Sequence, residues 1–220
     1  MRLSIVIPTL NAAATLSATV AALGGAADEV VVVDGGSGDG TAALAESLGA
    51  RVVAAPRGRG GQLAAGAAAA RGEWLLLLHA DTRLAPGWAA AAFRMMAERP
   101  DRAGYFRFAL DSADPRARRL ERLVAWRCRV FALPYGDQGL LISRALLEQV
   151  GGIRPLPLME DVDLVRRLGR RRLAAVEVAA VTSAARWQGD GWHRRSARNL
   201  GCLMLYALGV PPRIIARLYS

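Results

Sequence analysis

The chain has 220 residues, of which 53% are hydrophobic and 22% are charged. This composition supplies an ample buried core and excludes collagen-like, disordered and disulfide-scaffold proteins. The formal net charge is +10 and all 29 basic residues are arginine, which predicts an anionic partner because the guanidinium fork matches phosphate oxygens. Two cysteines, Cys128 and Cys202, are too few for a disulfide framework or a zinc site and indicate a reducing cytoplasm.

In the first hundred residues, short β-rich runs alternate with helical stretches. The strands are apolar without polar alternation, which indicates a parallel sheet covered on both faces. The alternation of strand and helix predicts an α/β, doubly wound, Rossmann-like fold. The predicted strands are 3–7, 29–33, 51–54 and 74–78, and the predicted helices are 13–23, 39–48, 62–71 and 86–98, the last with Pro86 in its first turn.

After residue 100 the pattern changes, but no repeat or long linker interrupts the chain, and we expect one domain. Ser143 is expected to cap a short helix. A Gly- and Pro-rich loop precedes the next helix, and the tail from Trp192 is expected to be mostly helical. The predicted elements are strands at 105–110 and 139–142, a basic amphipathic helix at 115–133, and helices ending at 150 and covering about 160–168.

Neither apolar stretch that resembles a membrane segment is long enough to be one. The block at 3–7 ends at Pro8, so we do not interpret it as a signal peptide. The stretch 200–212 is apolar, has arginines on both sides and is too short to span a bilayer. We expect this tail to pack on the protein's own core in a cytoplasmic protein, with contact to a membrane surface as the alternative.

Ligands of open α/β sheets bind beyond the carboxyl ends of the strands, so the segments that follow those ends are candidates for chemistry. Asp34 lies at the tip of a buried strand, Gly35 and Gly36 permit a tight turn, and Ser37 or Asp39 can cap the next helix. An ordinary strand-to-helix turn is the alternative, since neither a Walker nor a G-x-G-x-x-G spacing is present. The segments expected to converge are 8–11, 34–41 and 79–82.

Two acidic segments suggest metal binding and proton transfer. Asp81, at a strand end beside His79, can hold a divalent cation. Magnesium is served by one carboxylate with phosphate and water oxygens, and an added imidazole favours manganese. A loop cap and a core histidine are the alternatives. Glu160 and Asp161 open a helix together with Asp163, which is more acid than capping requires, so a carboxylate here could serve as general base.

In combination, these segments resemble a glycosyltransferase of family 2, which implies the nucleotide-sugar-binding GT-A fold. The stretches occur in the family's order over about residues 3–170, and the chain is most similar to small stand-alone members with a His-Ala-Asp-Thr motif. The resemblance implies one domain of 1–220, with a nucleotide-binding half at 1–100, an acceptor and catalytic half at 101–190 and a helical tail at 191–220. The matching stretches are 4–11, 33–41, 58–63, 78–82, 136–139 and 157–161.

The resemblance also implies a role for each candidate residue. Asp161 matches the catalytic base, beside Glu160, and Asp34 would contact the base of a uridine-type donor. Asp81 matches the metal-bearing acid of the family's Asp-x-Asp motif, with His79 and His193 as further candidate ligands for Mn or Mg. The other expected substrate contacts are Thr9, Asn11, Gly35, Ser37, Arg57, Arg59, Gly136, Asp137, Gln138 and Trp187.

Two departures from the family pattern shape the expected reaction. His79 stands where the first acid of Asp-x-Asp would be, and only Arg186-Trp187 remains of the Gln-x-x-Arg-Trp signature of processive members. We therefore expect a non-processive, metal-assisted transfer from a nucleotide-diphosphate sugar to a hydroxyl of a small-molecule or lipid-linked acceptor. One positioned carboxylate without a nucleophile partner predicts inversion.

Three other functions are considered as alternatives to a glycosyltransferase. A nucleotidyltransferase also combines an α/β nucleotide fold with a divalent metal, but 9–13 lacks the basic Gly-rich loop expected after its first strand. A non-catalytic nucleotide-sugar-binding module is suggested by the missing first acid. Nucleic-acid binding is suggested by the charge alone and is not expected, because no basic-aromatic interleaving is present.

Overall fold

The structure, a computed structural model, describes residues 1–219 and all of their side chains except those of Arg186 and Tyr219. The strands are β1 (Leu3–Thr9), β2 (Glu29–Asp34), β3 (Arg51–Ala54), β4 (Trp74–Leu77), β5 (Thr82–Leu84), β6 (Ala103–Asp111), β7 (Leu140–Ser143) and β8 (Leu173–Ser183). They form one sheet in the order β3-β2-β1-β4-β7-β6-β8-β5.

Helices cover both faces of this sheet and form the end of the chain. The helices are α1 (Ala13–Ala21), α2 (Thr41–Ser47), α3 (Arg59–Ala69), α4 (Trp88–Glu98), α5 (Pro115–Phe131), α6 (Arg144–Gln149), α7 (Glu160–Leu168), α8 (Ala185–Asp190), α9 (Trp192–Ala207) and α10 (Pro212–Tyr219). Two short 3₁₀ turns occupy Gly136–Gln138 and Arg170–Arg172.

The first half of the sheet is parallel, as predicted. β1 pairs in parallel with β2 and β4, and β2 pairs in parallel with β3. The inner strand β1 is buried on both faces: Ile5 and Ile7 pack with Leu16 of α1 on one side, and Val6 packs with Leu63 of α3 on the other. The carboxyl ends of these four strands therefore meet at one edge of the sheet, where the polar segments begin.

The second half of the sheet is mixed. β7 runs antiparallel to both β4 and β6, β5 is antiparallel to β8, and β6 pairs in parallel with β8. The sheet is thus mostly parallel, which confirms the predicted fold class. Two strands were not predicted, the three-residue β5 and the alanine-rich β8.

Several predicted helix ends differ from the observed ones. α4 begins at Trp88 because Gly87 is left-handed, with φ +85°, so Pro86 precedes the helix and is not in its first turn. α3 begins three residues earlier than predicted, at Arg59. Ser143 caps α6 as predicted, since its hydroxyl accepts a 3.2 Å hydrogen bond from the backbone N–H of Leu146.

Helix α3 packs against its neighbours at two glycines. A β-carbon at Gly66 would collide with Val6 and lie 2.7 Å from Cγ2 of Val33. A β-carbon at Gly60 would lie 2.6 Å from the backbone oxygen of Leu156. The missing side chains therefore let α3 sit directly on the sheet and let the loop before α7 sit directly on α3.

The tail is helical, as predicted, and its contacts with the rest of the protein are partial. Cys202 of α9 and Ile215 of α10 are buried, whereas Leu208 between the helices is 80% exposed. Within residues 1–219, none of the helices has both the length and the apolar character needed to cross a membrane.

Candidate active site

Two adjoining cavities open at the carboxyl ends of the parallel strands. The strand-end groove, of about 490 Å³, lies between 8–12 at the end of β1, 57–59 at the start of α3, and 79–81 after β4. The inner cavity, of about 120 Å³, lies between 158–162, the end of β8, and helices α8 and α9. Arg59, His79 and Asp81 line both cavities and so form the boundary between them.

Asp34 organises the wall of the strand-end groove. Its Oδ1 accepts hydrogen bonds from the hydroxyls of Thr9 at 3.1 Å and Ser37 at 2.5 Å, and its Oδ2 accepts from the backbone N–H groups of Gly36 and Ser37. Burial opposes its charge, but these hydrogen bonds outweigh that effect and lower the pKa of Asp34. Of these two residues, Thr9 lines the groove and Asp34 does not. Asp34 supports the groove wall indirectly, through its hydrogen bond with Thr9.

The loops after β1 and β2 are tied to each other. Asn11 has the left-handed φ of +50° and accepts a 2.9 Å hydrogen bond from Gly38 through its side-chain oxygen. Its own backbone N–H donates to the hydroxyl of Ser37 at 2.8 Å. Asn11 lines the groove. The loop after β2 therefore supports the groove wall, because Ser37 and Gly38 hold Asn11 in place.

Gln62, which the sequence did not single out as a site residue, joins β1 to β2 at the groove floor. Its amide donates to the carbonyls of Thr9 at 2.7 Å and Val33 at 2.8 Å. A β-carbon at Gly35 would lie 3.1 Å from this amide. Gly35 therefore leaves little room for a β-carbon at the strand end, where a side chain of α3 lies against it.

Arg59 and Glu160 form an ion pair between α3 and α7. Glu160 is almost fully buried, and burial raises its pKa while the charge of Arg59 opposes that rise. Burial would lower the pKa of Arg59, but Glu160 and Asp161 outweigh it and raise that pKa. Nη1 of Arg59 lies 3.3 Å from Nε2 of His79, so the guanidinium connects the acidic turn to the boundary between the cavities.

Asp161 lines the inner cavity at the first turn of α7. Met159, with φ +66°, turns the chain immediately before this helix. The Asp161 carboxylate accepts 2.7 Å hydrogen bonds from the backbone N–H of Gly136 at Oδ2 and of Val162 at Oδ1. These two backbone donors therefore fix the position of the carboxylate at the wall of the cavity.

Asp137 faces the same cavity from the 3₁₀ turn. Its Oδ1 is buried without a hydrogen-bond partner among the described residues. Burial raises its pKa to about 6, against the opposing charge of Arg127 and with a further contribution from Asp161. The backbone oxygen of Asp137 accepts from Thr182 at 3.2 Å, which fixes this turn to β8.

Trp187 closes the inner cavity from α8. The side chain is buried, and within the part of the chain that the structure describes its indole N–H has no hydrogen-bond partner. Gln138, by contrast, is a structural residue: its amide donates to the carbonyl of Phe106 at 2.9 Å inside the protein. Asp137 and Trp187 thus line the inner cavity, and each has one buried polar atom without a hydrogen-bond partner among the described residues.

The candidate metal ligands are only partly brought together. Asp81 and His79 share the boundary of the two cavities, whereas His193 is exposed and lines neither. No cluster of three His, Cys, Asp or Glu side chains suited to a metal ion occurs in the described part of the chain. A carboxylate such as Asp81 fits a cation that takes most of its ligands from phosphate and water oxygens.

Most predicted site residues line one of the two cavities. The groove contains Thr9, Asn11, Arg57, Arg59, His79 and Asp81, and the inner cavity contains Arg59, His79, Asp81, Asp137, Asp161 and Trp187. Gly136 adjoins them, since a β-carbon there would lie 2.7 Å from Nε2 of His79. Lining residues that the sequence did not reveal include Tyr135, Thr182, Arg195, Asn199 and Cys202 of the inner cavity and Gln62 of the groove.

Comparison with known proteins gives both a family and a fold. The family model described as Glycosyl transferase family 2 matches residues 4–148. An "Uncharacterized glycosyltransferase" of Rickettsia bellii (strain RML369-C) is 39% identical over 84 residues, which are 38% of this chain and 29% of that protein. The chain therefore matches less than a third of this relative's length.

Solved structures share the arrangement at low identity. Glucosyl-3-phosphoglycerate synthase from Mycobacterium tuberculosis, in complex with Mn²⁺ and UDP-glucose, superposes with a TM-score of 0.66 at 22% identity, covering 96% of this chain and 80% of that one. Mannosyl-3-phosphoglycerate synthase from Rubrobacter xylanophilus gives 0.61 at 23% identity, with 83% and 66% covered. These likenesses confirm the expected GT-A fold.

Proposed function

The chain belongs to glycosyltransferase family 2, and from that premise we propose that it moves a sugar from a nucleotide-diphosphate sugar to an acceptor hydroxyl, with inversion and one sugar at a time. The observation that carries the proposal is the meeting of two cavities at Arg59, His79 and Asp81, with Asp161 in one of them. A transferase needs this layout, because the bond that breaks must lie between a donor site and an acceptor site.

The strand-end groove is the proposed donor site. Thr9 and Asn11 would contact the nucleotide, and the guanidinium groups of Arg57 and Arg59 at the start of α3 suit a diphosphate. Asp34 would help to position the base of a uridine-type donor, because its carboxylate holds the turn that contains Gly36 and Ser37. The M. tuberculosis structural neighbour was determined with UDP-glucose and Mn²⁺, which supports the same class of donor here.

A divalent cation, Mn²⁺ or Mg²⁺, would be held by Asp81, whose position at the cavity boundary suits a ligand shared with a diphosphate. Such an ion neutralises the charge that develops on the leaving diphosphate. His79 is the second candidate ligand, although its Nε2 lies near Arg59. Arg59 itself, held by Glu160, adds positive charge on the same side.

The inner cavity is the proposed acceptor site, with Asp161 as general base. Gly136 and Val162 hold the carboxylate from behind, so it is positioned to take the proton of an attacking hydroxyl. Asp137 and Trp187 line the same cavity, and a carboxylate beside an aromatic ring suits a polyhydroxyl ligand such as a sugar. Asp161 then acts as base and Asp137 as a hydrogen-bonding partner, which is consistent with a single in-line displacement.

The experiment is a ligand screen followed by turnover. UDP-glucose, other UDP-sugars and GDP-sugars are added with Mn²⁺ or Mg²⁺, and the melting temperature is recorded, since a ligand that binds the native state raises it. Sugar donors that stabilise the protein are then tested for nucleotide release, and the anomer of the product is determined by NMR. Binding without turnover in any metal would favour a binding module, and nucleotide transfer onto a sugar phosphate would favour a nucleotidyltransferase.

A further inference from the structure

Large apolar side chains stand exposed on one face of α5. Leu123, Trp126 and Val130 are 63%, 48% and 40% exposed, and Phe131 at the helix end is 55% exposed. Their spacing of three and four residues places the first three on one side of the helix. The rings of Trp126 and Phe131 pack edge to face, with centroids 5.3 Å apart. We refer to these four side chains as the α5 apolar face.

Helix α5 is rich in arginine and has one acidic residue. Arg119, Arg122 and Arg129 of this helix are also exposed. The one acidic residue of α5, Glu121, is partly buried and pairs with Arg118. Arg170 donates hydrogen bonds to the carbonyls of Arg129 and Val130 at the helix end. The surface is thus apolar at its centre and cationic at its edge.

This combination selects among the occupants that would cover an apolar face. A second copy of the chain joined symmetrically through α5 would bring the arginines of both copies close together, and the one acid of α5 is already paired with Arg118. A nucleic acid would use the arginines but not aliphatic side chains such as Leu123 and Val130, because bases stack on aromatic rings. A bilayer with anionic headgroups accommodates both parts, since apolar side chains enter the acyl boundary while arginines reach the phosphates.

We infer that the α5 apolar face and its arginines bind a membrane surface that contains anionic lipids. The indole of Trp126 suits the headgroup level, where amphipathic rings concentrate. The binding would be peripheral, with α5 lying in the plane of the surface. This surface is separate from the tail, whose exposed apolar residues form the competing candidate: Leu200, Met204, Leu208, Ile214 and Leu218.

The chain connects this surface to the inner cavity over a short distance. Phe131 ends α5, and Tyr135 and Asp137, four and six residues later, line the inner cavity. A protein lying on a membrane through α5 would therefore hold the inner cavity close to the bilayer. If the proposed function is correct, this placement favours an acceptor whose hydroxyl is carried by a lipid.

The test uses Trp126 as its own reporter. The other four tryptophans, Trp74, Trp88, Trp187 and Trp192, are at most 8% exposed, so a change of environment at Trp126 dominates the change in fluorescence. The full chain is mixed with vesicles of phosphatidylcholine alone, or of phosphatidylcholine with phosphatidylglycerol. We expect a blue shift and cosedimentation with the second kind only, and both are expected to weaken as salt is added.

Matched variants separate this surface from the others. Leu123→Ser with Val130→Ser should reduce the vesicle-bound fraction at least several-fold and abolish the blue shift, and Trp126→Phe should remove the shift while retaining most of the sedimentation. Phe93→Ser on α4 changes another exposed apolar residue and should have no effect. Circular dichroism and the melting temperature without vesicles confirm that each variant is folded, and neither depends on lipid or on the proposed activity.

Four outcomes would overturn the inference. Binding that survives the α5 substitutions but is lost in Met204→Ser with Leu208→Ser would assign the membrane surface to the tail. A blue shift that follows protein concentration without vesicles would show a second copy on the face. A shift with an oligonucleotide but not with anionic vesicles would show a nucleic-acid site. Absence of binding to either kind of vesicle would contradict the proposal directly.

Discussion

The backbone N–H of Gly136 donates a 2.7 Å hydrogen bond to Oδ2 of Asp161. A 3₁₀ turn between α5 and β7 thereby fixes the carboxylate at the wall of the inner cavity, although the two residues are 25 positions apart in the chain. If an amide replaces the carboxylate, its single oxygen can keep this bond and only the bond from Val162 is lost. The proton-accepting function can therefore be tested while Gly136 still holds the side chain.

Asp161→Asn should lose turnover and retain donor binding. The amide oxygen can still accept from Gly136, but it cannot take a proton, so kcat should fall by about 10²–10⁴-fold. Rates of nucleotide release and the donor's Kd from calorimetry are the measurements. Asp101→Asn, at an exposed site away from both cavities, is the control. Equal losses of donor binding and of turnover would show that Asp161 is a donor contact and not the base.

Asp81→Asn should remove the dependence on metal. With UDP present, Mn²⁺ is expected to raise the melting temperature of the parent protein, because the ion and the diphosphate bind the native state together. The neutral amide is a weak metal ligand, so this increment should disappear in the variant. His193→Ala is the matched control, since His193 is exposed and lines neither cavity. An increment lost in His193→Ala instead would place the ion elsewhere.

Asp137→Asn should change how stability depends on pH. Burial raises the folded-state pKa of Asp137 from 3.8 to about 6. Its contribution to stability is therefore fully present below about pH 3.8 and is lost as pH rises through 6, by on the order of 2–3 kcal/mol. The neutral amide should remove that loss, so the variant should melt at a higher temperature than the parent at pH 7 and at a similar one at pH 4. A parallel displacement of the two melting curves at every pH would contradict this.

Gly66→Ala and Gly61→Ala should have opposite effects on stability. Both residues lie in α3, but a β-carbon at Gly66 meets Val6 and Val33, and one at Gly61 meets nothing within 4 Å. Overpacking should cost about 1–3 kcal/mol at Gly66. The alanine at Gly61 should add about 0.4–1 kcal/mol by restricting the unfolded chain. Urea unfolding measures both free energies, and a stabilising Gly66→Ala would contradict the close packing.

The sequence was sufficient for the parallel half of the sheet because its strands are continuous apolar runs that end in polar turns. Strand β3 is predicted with its observed bounds, 51–54, and helix α7 with its observed bounds, 160–168. β8 was missed because alanine has little strand preference, and β5 because three residues carry no periodicity. These two strands pair with each other, so the edge of the sheet beside the inner cavity was absent from the prediction.

The candidate site, like the sheet, was predictable only in part. Residues that follow the parallel strands, such as Asp81, could be placed at one sheet edge from topology alone. Asp161 was expected beside them from the family resemblance, and Asp81 and Asp161 do line one cavity. Asp34 lines neither cavity. Its carboxylate accepts hydrogen bonds from Thr9, which lines the groove, and from the turn that follows β2. Thr182 and Asn199 could not be found, since their position depends on the unpredicted β8 and on how α9 packs over it.

Gly60 links two parts of the site by steric exclusion. The loop at 154–156 approaches to 2.6 Å from the position of a β-carbon at this residue, and the same loop leads into Glu160, the partner of Arg59. Homologues with a side chain at position 60 should therefore carry a displaced or longer loop at 154–156. In an alignment, covariation between position 60 and the loop 154–156 would indicate that the distance between Arg59 and Glu160 is maintained among homologues.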